Sequence, residues 1–250
     1  MEGSQSHNNP QAAQLLGAWE RGLVQTPAQR TLTLLGAIFA DASPDSVGSL
    51  TIGECDKQLL GLHERVFGSR INAIAHCPAC DETLELNFNV ADIYVGQTGH
   101  PPAKLTIEKE ACTVAFRLPL ALDLTALDQD THVLENRRRL LERCVLSARL
   151  GAREIPADEL PDDIVEEVSA QMAKADPQAE ILIAAHCPHC AHQWRAPLDI
   201  GSFVWAELNA WATRLLREVH LLAEAYGWSE SDILALSQTR RRFYLEMLEQ

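Results

Sequence analysis

Apolar positions recur along this chain with two periods, and the switches between them mark out its elements. Gln11 to Val24 puts Leu15, Leu16, Trp19 and Leu23 on one helical face. Thr26-Pro27-Ala28-Gln29 has the form of a capping box with proline at the first helical position, and the helix it opens runs to about Ala40 through Leu32, Leu35, Ile38 and Phe39. Asp41 to Gly48 holds Ser, Pro, Asp and Gly and reads as a loop. Thr51 opens a third helix through Leu59, Leu60, Leu62 and Val66, stopped by Gly68. The period then falls to two. Ile71 to Ala75 predicts a strand, and Thr83 to Val90 predicts its return, with Leu84, Leu86, Phe88 and Val90 on one face.

Gly96 to Pro102 is a turn or linker, after which Lys104 to Ile107 and Ala111 to Leu118 predict a hairpin. The middle reads as helical. Asp130 to Leu150 carries Val133, Leu134, Leu140, Leu141 and Val145 and is ended by Gly151. Leu160-Pro161 opens a further helix to about Lys174, broken by Asp176-Pro177. Glu180 to Ala185 and Gln193 to Ala196 are strands. From Ser202 a long helix shows a stripe of Leu208, Ala212, Leu215, Val219, Leu222 and Tyr226, ended by Gly227. Ser229-Glu230-Ser231-Asp232 is a second capping box opening a short turn to Leu236. Ser237 starts a final helix with Phe243, Tyr244, Met247 and Leu248 as its apolar side.

One phrase occurs twice in this series. Ile74-Ala75-His76-Cys77-Pro78-Ala79-Cys80 matches Ala184-Ala185-His186-Cys187-Pro188-His189-Cys190 at an offset of 110. The match continues through Ile71 and Ile181, Leu84 and Trp194, Phe88 and Leu198, Val90 and Ile200, and Ile93 and Phe203. Each copy is a strand, a Cys-Pro-x-Cys knuckle, a returning strand and a turn toward a helix. Two thiolates in such a turn supply half of a tetrahedral zinc site, so Cys77, Cys80, Cys187 and Cys190 together predict one structural zinc ion. The 106 residues between Cys80 and Cys187 make it a clasp between distant parts of the chain. The expected fold is α+β and mainly helical. One zinc ribbon is built from the two separated knuckles, with a helical insertion and C-terminal helices. Residues 1–11 read as a disordered lead, 12–70 as an N-terminal helical region, and 71–250 as a zinc-ribbon and helical domain that can join 12–70 in one domain.

Composition narrows the function. At 46% apolar and 22% charged residues the 250-residue chain has the make-up of an ordinary globular protein. Its net charge of −14 disfavours a nucleic-acid partner, which needs lysine and arginine against phosphate. No run approaches the roughly 20 apolar residues of a membrane span, and Met1 to Gln11 lacks the basic-then-apolar plan of a signal peptide. Seven cysteines, four of them in knuckles, fit metal binding in a reducing cytoplasm better than a disulfide framework. Cys55, Cys112 and Cys144 read as buried small hydrophobes.

Two other readings of the knuckles stand beside zinc: a metal-free dithiol oxidoreductase, and inert cysteines. A zinc-ribbon adaptor for nucleic acid is a further reading, weakened by the charge and by the lack of a basic, aromatic strand face. His76, His186, His189 and His192 crowd the same turns and, with four thiolates present, read as outer hydrogen-bonding groups or exposed side chains. Full thiolate ligation leaves no open position for water, which disfavours a zinc hydrolase. The triplets Arg137-Arg138-Arg139 and Arg240-Arg241-Arg242 read as solvated helix faces, with a docking surface for an acidic partner as the sharper alternative. Trp194, Trp205, Trp211 and Trp228 read as core, or as interface anchors where exposed. The chain has no Gly-rich phosphate loop, no Gly-x-Ser-x-Gly elbow and no His-Glu-x-x-His.

The knuckles, Ala175-Asp176-Pro177-Gln178-Ala179-Glu180, the run Asp199 to Leu208, and the tail Tyr226 to Leu236 followed by Arg241-Arg242-Phe243-Tyr244-Leu245 resemble a known family. It is the baseplate hub assembly chaperone family of T-even-like phages, found also in phage-derived contractile injection systems. The resemblance covers roughly residues 50 to 250, and the C-terminal stretch is its most specific part. It implies a non-enzymatic protein that helps to build the hub or baseplate of a contractile tail, with hub or spike proteins as partners. It would be cytoplasmic during assembly, and departure from the particle or retention in it is left open. The knuckles are not found in every relative, so the zinc rests on this chain's own cysteines. Partner contacts are expected at Trp205 and Trp211 of the long helix and at Phe243 and Tyr244 of the last one.

Overall fold

The computed structural model describes residues 12–39, 44–96, 100–127 and 132–248. The lead over 1–11, the head of the loop at 41–43 and the first residues of the helix expected from Asp130 lie outside them. α1 (Ala12–Gly22) and α2 (Pro27–Ile38) form an antiparallel pair. The capping box at the start of α2 is present: Gln29 donates its amide to Thr26 Oγ1 at 3.4 Å, and its side chain accepts from the Thr26 amide at 3.0 Å. A short helix α3 (Pro44–Gly48) stands in the stretch read as loop, so that reading is corrected. Pro44 opens this single turn, as proline can at a first helical position. α4 (Ile52–Phe67) starts on a second capping box, Thr51 with Glu54, and ends at Gly68, whose φ of 98° favours a residue without Cβ.

β1 (Arg70–His76) and β2 (Thr83–Asn89) pair in register from Arg70 opposite Asn89 to His76 opposite Thr83. The short α5 (Val90–Ile93) follows. The insertion between the two knuckles holds β3 (Leu105–Lys109), β4 (Cys112–Phe116), α6 (Ala121–Leu124), α7 (Val133–Cys144), β5 (Val145–Leu150), β6 (Arg153–Ile155) and α8 (Asp162–Ala175). β7 (Leu182–His186) and β8 (Gln193–Pro197) repeat the first hairpin. α9 (Ile200–Tyr226), α10 (Glu230–Leu234) and α11 (Gln238–Glu246) complete the chain.

The insertion departs from its expected helical character. The helix predicted to run to Leu150 stops at Cys144, and Val145–Leu150 is a strand paired with β4. Apolar residues at 140, 141 and 145 fit a helix, but tertiary pairing overrides that period from β-branched Val145 onward. Gly151, expected to cap the helix, adopts φ 61° in the turn from β5 to β6. The result is an antiparallel sheet in the order β3-β4-β5-β6 with α8 against one face. Val114, Phe116, Ala148, Ile155, Ile164 and Val168 form its core.

A first, larger core is drawn from α1, α2, α4, both hairpins and the start of α9. Residues equivalent in the repeat enter it in pairs: Ile71 with Ile181, and Val90 with Ile200. α9 continues out of this core through Val204 and Leu208, and its second half packs Leu215, Val219 and Leu222 against Ile233 and the last helices.

Buried polar groups fasten the insertion to the rest. Gln178, fully buried, donates to the Ile93 carbonyl at 3.2 Å and accepts from the Val95 amide at 2.6 Å. Asp176 accepts from the Gly53 amide at 2.9 Å, and a Cβ on Gly53 would collide with its carboxylate. Asp123 is held by Arg117 and Arg143. Burial alone would raise its carboxyl, but the arginines and the Leu120 amide hold it below the usual range.

Asp56 lies half-buried on α4 with Asp199 and Asp176 nearby. Burial, and then those two carboxylates, push its pKa up to about 8. The folded state therefore binds this proton more tightly than the unfolded chain. The associated stability is complete below about pH 4 and is lost as pH rises toward 8. Asp56→Asn should raise the unfolding free energy at pH 8.5 by about 1–2 kcal/mol relative to the parent chain and by almost nothing at pH 4. Paired thermal melts at the two pH values check this, and an equal effect at both would contradict it.

Candidate metal centre

Each knuckle is closed by the same backbone bonds. The Cys77 amide donates to the Glu82 carbonyl at 2.9 Å and the Asp81 amide to the Cys77 carbonyl at 2.8 Å. In the second copy the Cys187 amide donates to His192 at 2.9 Å and the Ala191 amide to Cys187 at 3.0 Å. Pro78 and Pro188 occupy the turn position where a fixed φ is an advantage. Asp81 and Ala191, again 110 apart, both take positive φ, 62° and 59°. That conformation is costly for a residue with a Cβ, and its repetition at equivalent places ties it to the knuckle geometry.

The hairpins bring their turns together. Cys77 Sγ lies 3.6 Å from Cys190 Sγ, and Cys80 Sγ lies 3.6 Å from Cys187 Sγ. Both short separations therefore cross between hairpins, and exchanging the two copies turns one into the other. All four sulfurs fall within 4.8 Å of one another. A tetrahedron with metal–sulfur bonds of about 2.3 Å has edges of about 3.8 Å. The thiols are thus spaced for one thiophilic ion, and far wider than the roughly 2.05 Å of a disulfide. An all-sulfur set suits zinc and other soft metals and not calcium or magnesium, which take oxygen.

Cys77 and Cys187 are buried, while Cys80 and Cys190 face solvent. Leu84 and Trp194, another repeat-related pair, pack on the buried sulfurs. Desolvation works against a charge on Cys187, but the Cys190 and His189 amides and the neighbouring thiols bring its pKa down to about 7. Cys80 is drawn down by the Glu82 amide, yet partial desolvation within the cluster and its three sulfur neighbours carry it up to about 12. Four thiolates at this spacing repel one another, and a divalent cation at their centre would remove that repulsion.

The four expected histidines are exposed and none belongs to the sulfur cluster. His192 stacks on Trp194 at 5.9 Å, and His76 lies 3.4 Å from the Thr83 hydroxyl. Cys55, Cys112 and Cys144 are buried thiols. Burial raises Cys55 to about 12 and Cys144 to about 11.

Of the side chains expected at a partner interface, Trp205 is half-buried. Its ring lies over Gly22, and the Arg30 guanidinium sits 4.7 Å from its centre. Trp211 is also half-buried and packs against the first and third cores. Tyr244 forms a trio with Tyr226 and Trp228, at 5.8 and 4.9 Å between ring centres. Phe243 is 56% exposed. Asp56 and the buried His63 were not singled out from the sequence. Each sits at an ordinary helical position, and burial becomes visible only once the chain is folded.

The description "T4 bacteriophage base plate protein" belongs to the family model that matches residues 14–205, which include both hairpins and the insertion. The chain belongs to this family of phage baseplate proteins. No curated protein and no solved structure matches it. Among the described residues, no helix is long and apolar enough to cross a membrane.

Adding a thiophilic divalent ion to the reduced, metal-free protein should raise its unfolding free energy by about 3 kcal/mol or more at saturating ion. It should also change the emission of Trp194. Cys77→Ser with Cys187→Ser should abolish both effects, and Trp194→Phe the optical one alone. Titration followed by melting and fluorescence measures this, and an ion that binds without stabilising the parent chain would contradict it.

Proposed function

We propose that this protein is a non-enzymatic assembly factor for the baseplate hub of a contractile phage tail or injection system. The match to the baseplate family across residues 14–205 is the observation that carries the reading. A baseplate role implies contact with other baseplate proteins, and the proposal names unassembled hub or spike proteins as the clients. The four cysteines hold one structural zinc ion in this reading. All four positions of a tetrahedral zinc are filled by protein, leaving none for a substrate or water. The clasp maintains the fold, and the surfaces of the helices act.

The outward face of α11 is the proposed client contact. Phe243 and Met247 are one helical turn apart and 56% and 55% exposed. Tyr244 and Leu245, turned away from that pair, pack in the third core, and the buried Arg241 bonds Glu218 of α9 at 2.9 Å, which fixes the helix on α9. An apolar pair presented by a fixed helix can cover an apolar patch on a hub protein until its proper neighbour displaces it.

Co-expression with the hub and spike proteins of the same tail should yield a complex that purifies through size exclusion. Phe243→Ser with Met247→Ser should weaken it at least tenfold, equivalent to about 1.4 kcal/mol, with the melting temperature unchanged. Deletion of the gene should stall particle assembly. If neither hub nor spike protein forms a complex when both are folded, the reading is wrong.

A further inference from the structure

The face shared by α7 and α8 presents apolar side chains and sorted charges that the packing of the chain does not account for. Along its twelve residues α7 buries only Cys144, whereas α8 buries Ile164 and Val168 against the sheet. At the start of α7, Val133 and Leu134 are 78% and 66% exposed. A helix this short draws its stability from packing an apolar side, and α7 leaves much of that side open.

The charges on this face are sorted into two strips. α7 carries Arg137, Arg138, Arg139 and Arg143 against Glu135 and Glu142, a net positive helix in a chain of charge −14. Beside it, the 3-10 turn at Ala157–Glu159 and the first half of α8 expose Asp158, Glu159, Asp162, Asp163 and Glu166, with no lysine or arginine between them. The strips are neighbours: Arg137 lies 3.4 Å from Ser169 of α8, and Arg138 is within the field of Asp158. Glu159 and Asp163 are paired with Arg153 and Lys109. Asp158, Asp162 and Glu166 have no ion-pair partner among the described residues.

Adjacent strips of opposite sign are self-complementary about a twofold axis, because the basic strip of each copy meets the acidic strip of the other. We infer that the α7–α8 face is an isologous interface with a second copy of this chain, closing over Val133 and Leu134. A nucleic acid or an anionic membrane would bring its phosphates against the acidic strip as well as the arginines. A foreign acidic protein meets the same obstacle. A second copy satisfies both strips at once. The inference is independent of the baseplate reading and does not use the proposed client face on α11.

Sedimentation of the full chain over a concentration series tests it. A reversible dimer is expected at low salt, weakened at least tenfold between about 50 and about 500 mM salt. Val133→Glu with Arg137→Glu makes both strips acidic, and Asp158→Lys with Glu166→Lys makes both basic, because Arg153 and Lys109 offset Glu159 and Asp163 and leave Asp162 alone against two lysines. Each double variant should be monomeric while retaining the parent circular dichroism and melting temperature to within a few degrees. An equimolar mixture of the two should associate again, since every strip then faces its opposite. A parent chain that stays monomeric at low salt would overturn the inference. So would a dimer that neither variant weakens, or folded monomeric variants that fail to associate when mixed.

Discussion

The meeting of two knuckles 110 residues apart is the constraint on which the remainder of the structure depends. A two-stranded hairpin alone is marginal in water, and this chain has two of them in separate sheets. Each is held at its base by repeat-related apolar residues, Ile71 and Val90 in one and Ile181 and Ile200 in the other, all in the same core. At their tips the sulfurs converge. The segment between them is long, so a metal ion bound at the tips would remove a large share of the unfolded chain's freedom, though that effect grows only slowly with length.

A loop closed so far apart needs a second fastening, or the insertion could swing on its ends. Gln178 supplies one through its two bonds to the backbone around Ile93 and Val95. The close approach of Asp176 to Gly53 supplies another. Asp56, Asp176 and Asp199 gather at this same junction, and the pKa of Asp56 is raised first by its burial there and then by the other two carboxylates. The join between the two cores is therefore well placed geometrically but electrostatically unfavourable once Asp56 ionises. The knuckles have the same character, since they gather thiols whose ionisation a cation would have to compensate.

The repeated phrase was legible because its chemistry is local: two cysteines and a proline in one turn, with flanks that match at a constant offset. The helix caps at Thr26, Thr51, Ser229 and Ser237 were legible for the same reason, and all four side chains accept the expected amide. β5 was not, since Leu140, Leu141 and Val145 satisfy a helical period and only pairing with β4 ends it. Gly151 was compatible with a helix stop or a hairpin turn, and the sheet decided between them. Exposure was the least legible property. Trp205 and Trp211 belong to an apolar-rich helix, and only packing against α1 and α2 shows Trp205 covered while Phe243 stays open.

The long helix relates the clasp to those open surfaces. α9 begins at Ile200, the residue that mirrors Val90 in the repeat, and its first turns lie in the core that holds both hairpins. Its second half is the wall on which α10 and α11 pack. The family match ends at residue 205, within the second turn of this helix. The lobe from 206 onward is thus joined to the matched region by continuous helix and not by a flexible linker. Loss of order at the knuckles would reach α11 through displacement of the start of α9. A surface change such as Phe243→Ser would leave the third core intact, because that ring is mostly exposed and lies outside it.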